Sequence, residues 1–399
     1  PAVGAAQARV DGAAATHAAA RAAYLPTVAG SAGLTRFQEP MVVAPLHGFD
    51  PMNPPAFDRT LVQGQVGVEY VLFDGGGRSA LSRGTGFAEE ASALRRDATV
   101  QDLLQSVAMA YTAVLGSRDV RVAANGQVEA LASELDRAQQ RLREGTAARV
   151  EVLRAEAALL DARAQAATAH AQVGVAERNL ARLMGAEPPS MAGRPLADVV
   201  PQAVPAGEAV DSNPRIRAAG RAVDAARARV DQEHAGRLPS LKAGAGLQNF
   251  GSGGGDYVTE WQAGLKVSWP IFTGGARTAA IHRAEADLRV AEEELAQARL
   301  AVATELDGAD AAWREAVARS QALAASVAQW EEVARVEALS LETGAGVQQD
   351  FLRAQAALFQ ARAGSARARF DMILALVGQA RAQGLLDRGW MATALESAR

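Results

Sequence analysis

Two regions of the chain alternate apolar and polar residues with a period of two. In one, Leu241, Ala243, Ala245 and Leu247 alternate with Ser240, Lys242, Gly244 and Gly246, and the returning stretch sets Leu265, Val267, Trp269 and Ile271 against Lys266 and Ser268. In the other, Val66, Val68, Tyr70 and Leu72 oppose Gln65, Gly67 and Glu69. Such alternation predicts strands with one apolar and one polar face, here as hairpins over 27–73 and 240–272. A helical stretch precedes each (2–23 and 215–236) and ends at Leu25-Pro26 or Leu238-Pro239. Proline there removes a donor and turns its predecessor away from helix. A Gly-rich corner and a long helical pattern follow, the first over about 78–144. At ~1.5 Å per residue it would extend on the order of 100 Å. Gly145 breaks this helix, and a return helix runs to about residue 184; Gly344 and Gly346 mark the second break.

The two regions are copies of one unit. Tyr70-Val-Leu-Phe-Asp-Gly-Gly-Gly-Arg78 matches Trp269-Pro-Ile-Phe-Thr-Gly-Gly-Ala-Arg277, at an offset of 199 positions from Phe73 to Phe272. The same 199 separates Leu153-Arg-Ala-Glu-Ala-Ala-Leu159 from Leu352-Arg-Ala-Gln-Ala-Ala-Leu358. Upstream the offset is 213, as between Tyr24-Leu-Pro26 and Arg237-Leu-Pro239, so the first hairpin has a loop 14 residues longer, around 37–60. The units are expected at 1–185 and 214–379, with a Pro-rich linker at 186–213 and a tail at 380–399. Pro1 falls opposite Pro214, so the chain is expected to begin inside a unit, with any export signal or lipidated cysteine ahead of it.

Composition narrows the classes. Hydrophobic residues reach 49%, with alanine far the commonest, while aromatics are 5%. That suits long helices in close contact better than a compact core. A net charge of −4 with no basic stripe argues against nucleic acid as a partner. There are no cysteines, hence no disulfides or thiolate metal sites. No apolar run is long enough for a transmembrane helix; the longest candidate, 103–115, is too short. Any membrane crossing must therefore use strands. Hairpins with one greasy face need their edges closed, and only a closed barrel crosses a bilayer. Four strands are too few to close one, so several chains must contribute, with the polar faces toward water.

Phe73-Asp-Gly-Gly-Gly-Arg78, Phe272-Thr-Gly-Gly-Ala-Arg277, the Leu-Pro pairs before the strands, and Gly145…Leu153-Arg-Ala-Glu156 with Gly344…Leu352-Arg-Ala-Gln355 resemble the TolC-like outer-membrane efflux family over essentially the whole chain. The resemblance implies an α+β membrane protein: a homotrimer whose twelve-stranded barrel, set in outer-membrane lipid, continues as a periplasmic α-helical barrel. The linker and the C-terminal tail would form an equatorial girdle. It further implies a Gram-negative outer-membrane location, a periplasmic adaptor (membrane fusion) protein, and an inner-membrane transporter of the RND or ABC type. The expected function is the exit duct of a tripartite pump for drugs or other toxic small molecules, with type I protein secretion as the alternative. A soluble Ala-rich coiled-coil scaffold is the remote one, since it leaves the doubled hairpins unexplained.

In that family the turn glycines sit at the periplasmic tip, which puts Gly145, Thr146, Gly344 and Gly346 at the adaptor contact. Acidic residues just beyond ring the entrance. Asp350 matches the first acidic gate position, while Arg353 replaces the second; Glu151 and Arg154 are their counterparts in the first unit. A ring of mixed charge is expected to close by bridges between chains rather than to bind cations. Gly75, Gly76, Gly274 and Gly275 read as strand-to-helix corners, not a phosphate cradle, because no Gly-Lys-[Ser/Thr] ending follows. Tyr70, Leu72, Trp269 and Ile271 are expected on the membrane-facing strands, Tyr70 and Trp269 as interfacial belt residues. No metal spacing is seen at His17, His47, His170, His234 or His282, and no catalytic constellation, cofactor or metal is expected.

Overall fold

The computed structural model describes residues 1–44, 51–52, 54–186, 210–255 and 257–394. The elements are α1 (Ala2–Ala22), β1 (Thr27–Val42), β2 (Phe57–Phe73), α2 (Gly77–Arg143), α3 (Arg149–Leu183), α4 (Pro214–Ala235), β3 (Ser240–Ser252), β4 (Tyr257–Ser268), α5 (Ala276–Glu342), α6 (Gln348–Ala382) and α7 (Arg388–Ala394), with a 3-10 turn at Val210–Ser212. The repeat survives folding without a gap. Helices α2 and α5 each have 67 residues, and α3 and α6 each have 35.

All four strands form one antiparallel sheet in the order β1-β2-β3-β4. The register aligns Val28 with Val68, Val68 with Ala245 and Ala245 with Ala263, so apolar positions share a face across the sheet. Two expected strand residues are corrected. Strand β4 stops at Ser268, and Trp269 and Ile271 lie beyond it. Ser268 pairs with Ser240, the first residue of β3, and neither Pro239 nor Pro270 has an N–H with which to extend the ladder. Leu72 is inside β2 but falls at a break in register between Val71 and Phe73, and Phe73 takes the place beside Leu241.

The compact units do not follow the repeat. One comprises Pro1–Arg96 with Arg217–Ala298, the other Asp97–Ile216 with Arg299–Arg399. Each takes part of both long helices, which is why sequential domains do not form. The first unit packs through small residues: Ala80, Ala91, Ala228, Ala235 and Ala284 are buried, and a Cβ on Gly84 would stand 3.3 Å from that of Ala228. The second unit has larger side chains. Leu131, Leu159, Ala162, Leu341 and Phe351 form one cluster, and Val114, Leu180 and Ala181 another.

The stretch expected to be a tail is a packed helix for much of its length. Helix α6 runs to Ala382, and α7 sets Trp390 and Met391 against Ala108, Val377, Ala380 and Leu386. The Pro-rich linker lies outside the described residues at 187–209, but its last part is well anchored. Asn213 is buried; its Oδ1 accepts from the Arg215 N–H at 2.9 Å as an N-cap, and its Nδ2 donates to the Ala382 carbonyl at 2.9 Å. Beside it, Arg381 and Arg215 each bridge both Asp102 and Glu305, which joins α2, α4, α5 and α6.

Candidate functional site

The strand-to-helix corners are built on backbone that glycine adopts freely. Gly75 and Gly76 have φ of 67° and 90°, and Gly274 and Gly275 have 59° and 86°. In the first corner the Asp74 carboxylate accepts from the N–H of Gly76 (3.2 Å) and Arg78 (2.8 Å) and from the Arg78 guanidinium (3.1 Å). Arg78 also donates to the Ala23 carbonyl and lies over the Tyr24 ring. The N–H groups of Gly76, Gly77 and Arg78 are thus engaged within the turn, by the Asp74 side chain or its carbonyl. Thr273 replaces Asp74 in the second copy. There the Trp269 indole N–H donates to the Arg237 carbonyl at 3.1 Å, tying the end of β4 to the approach of β3.

The turns between the long and return helices are helix stops. Gly145 and Gly344 both have φ 75°. Thr146 closes the first, its N–H and hydroxyl both reaching the Arg141 carbonyl. In the second, the N–H groups of Ala345 and Gly346 share the Ser340 carbonyl, and a Cβ on Gly346 would come within 2.9 Å of Ser340 and Leu341. So the two glycines serve differently: Gly344 for its φ, Gly346 for close backbone approach.

Of the four charged residues expected near these turns, the structure brings together only neighbours on one helix. Arg353 lies 3.6 Å from Asp350, one turn apart on α6, both well exposed. Glu151, the third residue of α3, turns back to accept from the N–H of the cap residue Ala148 at 3.4 Å, and Arg154 is exposed. Among the described residues no ion pair joins the α3 pair to the α6 pair.

A nearby charged cluster escaped the sequence reading. Glu134 on α2 is fully buried, its side chain 0% exposed. One carboxylate oxygen accepts from Arg141 at 2.9 Å and from the Gln348 amide at 3.0 Å, and the other stands 3.5 Å from Arg137. Arg137 in turn binds Glu342 at 2.6 Å. Thus the first residue of α6 is held to α2 through a buried carboxylate. The spacing of Glu134, Arg137 and Arg141 along one helix face was visible in the sequence; the partner on α6 was not.

The sheet presents the faces that its alternation predicts. Val28, Leu34, Val66, Val68, Tyr70, Leu247, Trp261, Leu265 and Val267 are all exposed apolar residues of one face. Trp261, 76% exposed, was overlooked, although its spacing of four and six residues from Leu265 and Val267 announces it. Tyr70 is level with Ala243, and Tyr257 with Gly251, so aromatics flank the apolar stretch about 27 Å apart along β3. The other face carries Gln65, Glu69, Lys242, Gln248, Gln262 and Lys266, with Lys242 bonded to Glu69 at 2.7 Å. Among the described residues, no helix is long and apolar enough to cross a membrane, and no cluster of His, Asp and Glu is arranged to hold a metal. His17 instead contacts Glu89 at 2.8 Å; His47 is outside the described residues.

This fold has close counterparts of known structure. The outer membrane protein VceC of Vibrio cholerae superposes with a TM-score of 0.82 at 17% identity, over 96% of this chain and 93% of that one. Among curated proteins, the chain is 30% identical over 383 residues to protein CyaE of Bordetella pertussis (90% of this chain, 77% of that one). It is 28% identical over 387 residues to the outer membrane efflux protein BepC of Brucella suis (92% and 78%). It is also 26% identical over 300 residues to the alkaline protease secretion protein AprF of Pseudomonas aeruginosa (72% and 62%). Residues 1–186 and 206–385 match the family model described as outer membrane efflux protein. These similarities place the chain in the outer membrane of a Gram-negative bacterium, extending into the periplasm. With doubled hairpins, long paired helices and a two-faced sheet all in family order, the chain belongs to the outer membrane efflux protein family.

Proposed function

We propose that this chain is one protomer of a homotrimeric exit duct in a tripartite efflux pump for small toxic molecules. Three four-stranded sheets would close a twelve-stranded barrel, and the paired helices would continue its wall through the periplasm. The observation that carries this reading is the sheet itself: a row of exposed apolar residues on one face, polar residues on the other, and both edge strands unpaired in the single chain. Lipid covers the first face, water fills the second, and neighbouring copies pair the edges. The aromatics Tyr70 and Tyr257 support it. Their ~27 Å separation along the strand becomes about 20 Å along the membrane normal at a tilt of ~40°, close to the apolar band of such barrels.

At the periplasmic tip, the turns at Gly145 and Gly344 meet the adaptor, which couples the duct to an inner-membrane transporter. Asp350 and Arg353 line the closed end. Because each pairs with the other in one chain, removing either leaves a ring of like charge that repels across the axis. Planar-bilayer recording of the purified oligomer tests this. Low resting conductance should rise in both Asp350→Ala and Arg353→Ala; unchanged conductance in both removes these residues from the gate.

Protein secretion is the second reading, favoured by similarity to a relative named for protease secretion. Deletion of the gene decides between them. Loss of tolerance to small toxic compounds supports efflux, whereas loss of a secreted protein from the medium with tolerance intact supports secretion.

A further inference from the structure

Lys242 and Lys266 are the only lysines in the chain; every other residue among its 41 Lys and Arg is arginine. Both lie on the polar face of the sheet, and the register places them directly opposite each other on β3 and β4. Like charges in directly opposed positions destabilise a strand pair, so this placement is not what stability alone selects. Glu69 on β2 relieves part of it, binding Lys242 at 2.7 Å. Lys266 is exposed and makes no ion pair among the described residues. This end of the polar face thus offers two ammonium groups against one carboxylate.

Their surroundings leave these ammonium groups accessible. The next positions on the same face are Gly244 and Gly264, opposite each other, and Gly67 opposite Gly246. None projects a side chain over the lysines, and together they floor a concavity of ≈ 560 Å³ that Lys242, Lys266 and Glu69 also line. Lys242 is the third residue of β3 and Lys266 the third from the end of β4, beside the turn that leads into α5. The remaining cations of the strands, Arg36 and Arg59, belong to the opposite end of the first hairpin, where Arg59 faces Glu39 at 3.6 Å. Glu260, on the same face as Lys266, is six residues away along β4.

The choice of lysine has a chemical meaning. Arginine holds a carboxylate or phosphate bidentately and so retains it, whereas an ammonium on a flexible stem attracts an anion as a hydrated point charge and releases it readily. A conducting pore needs sites strong enough to attract and weak enough to let go. We propose that Lys242 and Lys266 form an anion-selecting station on the water-facing side of the barrel, favouring passage of small solutes that carry carboxylate, sulfonate or phosphate groups. This rests on the channel reading above, and it adds a preference that the tip charges do not supply.

The test is the reversal potential of the purified wild-type oligomer under a potassium chloride gradient, compared with three variants. K242Q/K266Q should lower the chloride-to-potassium permeability ratio about threefold or more. E69Q should raise it. K242R/K266R keeps the charge and so the preference for chloride, but in potassium phosphate, which arginine holds bidentately, it should conduct less than wild type. Each variant that conducts is thereby shown to have assembled. A conducting K242Q/K266Q channel with an unchanged ratio overturns the proposal while leaving the channel reading intact. A double variant that fails to assemble is replaced by the single K266Q, expected to move the ratio in the same direction, and an unchanged ratio there overturns it equally. A wild-type protein that conducts no ions at all overturns the channel reading, and this inference with it.

Discussion

Glu134→Ala would remove the acceptor on which the start of α6 hangs. Its carboxylate is fully buried and receives the Gln348 amide at 3.0 Å and Arg141 at 2.9 Å. Deleting one partner of a buried ion pair costs about 3–5 kcal/mol when the other charge stays buried. Here Arg141 and Arg137 are 27% and 38% exposed and can turn to water, but Gln348 is only 5% exposed and loses a bond to a charged group. A local loss of about 2–3 kcal/mol is therefore expected. The internal repeat supplies a control. At the 199-residue offset, Val333 takes the place of Glu134 and the exposed Arg149 that of Gln348, so the start of α3 has no such tie. Hydrogen exchange of the detergent-solubilised oligomer should show the first turn of α6 opening roughly 30–150-fold more often, with α3 unaffected. Glu134→Gln, which keeps an oxygen for Gln348, should show a smaller rise. Unchanged exchange at α6, or an equal rise at both helices, would refute the reasoning.

Three further outcomes follow from geometry already described. Gly75→Ala should destabilise the assembly far more than Gly274→Ala. Both force a residue into positive φ at about 1–3 kcal/mol, but only at Gly75 would the new Cβ stand 2.8 Å from Leu238; the heat resistance of the oligomer on a gel reads the difference. Val68→Arg, on the apolar face, should prevent stable insertion into lipid, at about 2–4 kcal/mol near mid-membrane; a bilayer-flotation assay with recovery equal to wild type would contradict this. Phe351→Ala, at 2% exposure among Leu131, Leu159 and Leu341, should cost about 3–5 kcal/mol and hasten proteolysis between α5 and α6 while leaving the sheet protected.

The legible features were those written in local chemistry. Gly145 and Gly344 announced the helix stops because no other residue takes φ 75° comfortably, and the alternation around Val68 and Ala245 fixed the faces of the strands. The repeat did the rest, since a match 199 residues away confirms each assignment twice. What stayed hidden depended on partners far along the chain. The alternation runs on through Trp269 and Ile271, yet the strand stops where β3 offers no further partner. Asp350 and Arg353 could be numbered from a pattern, but the partner of Glu134, Gln348, lies 214 positions away and only folding brings the two together. Helix α7 likewise rests on distant partners, Ala108 and Val377.

The two unpaired edges of the sheet bear on how such a protein is made. Strands β1 and β4 each leave a row of backbone donors and acceptors that water cannot reach once lipid surrounds them. In the proposed barrel a lone chain has no stable place in a bilayer, and insertion and assembly become a single event of high order in concentration. Dilution during refolding should slow maturation far more steeply than it slows helix formation, which depends on contacts within one chain. Damage to an edge strand would then appear as a slower supply of finished channels, even where every channel completed conducts normally.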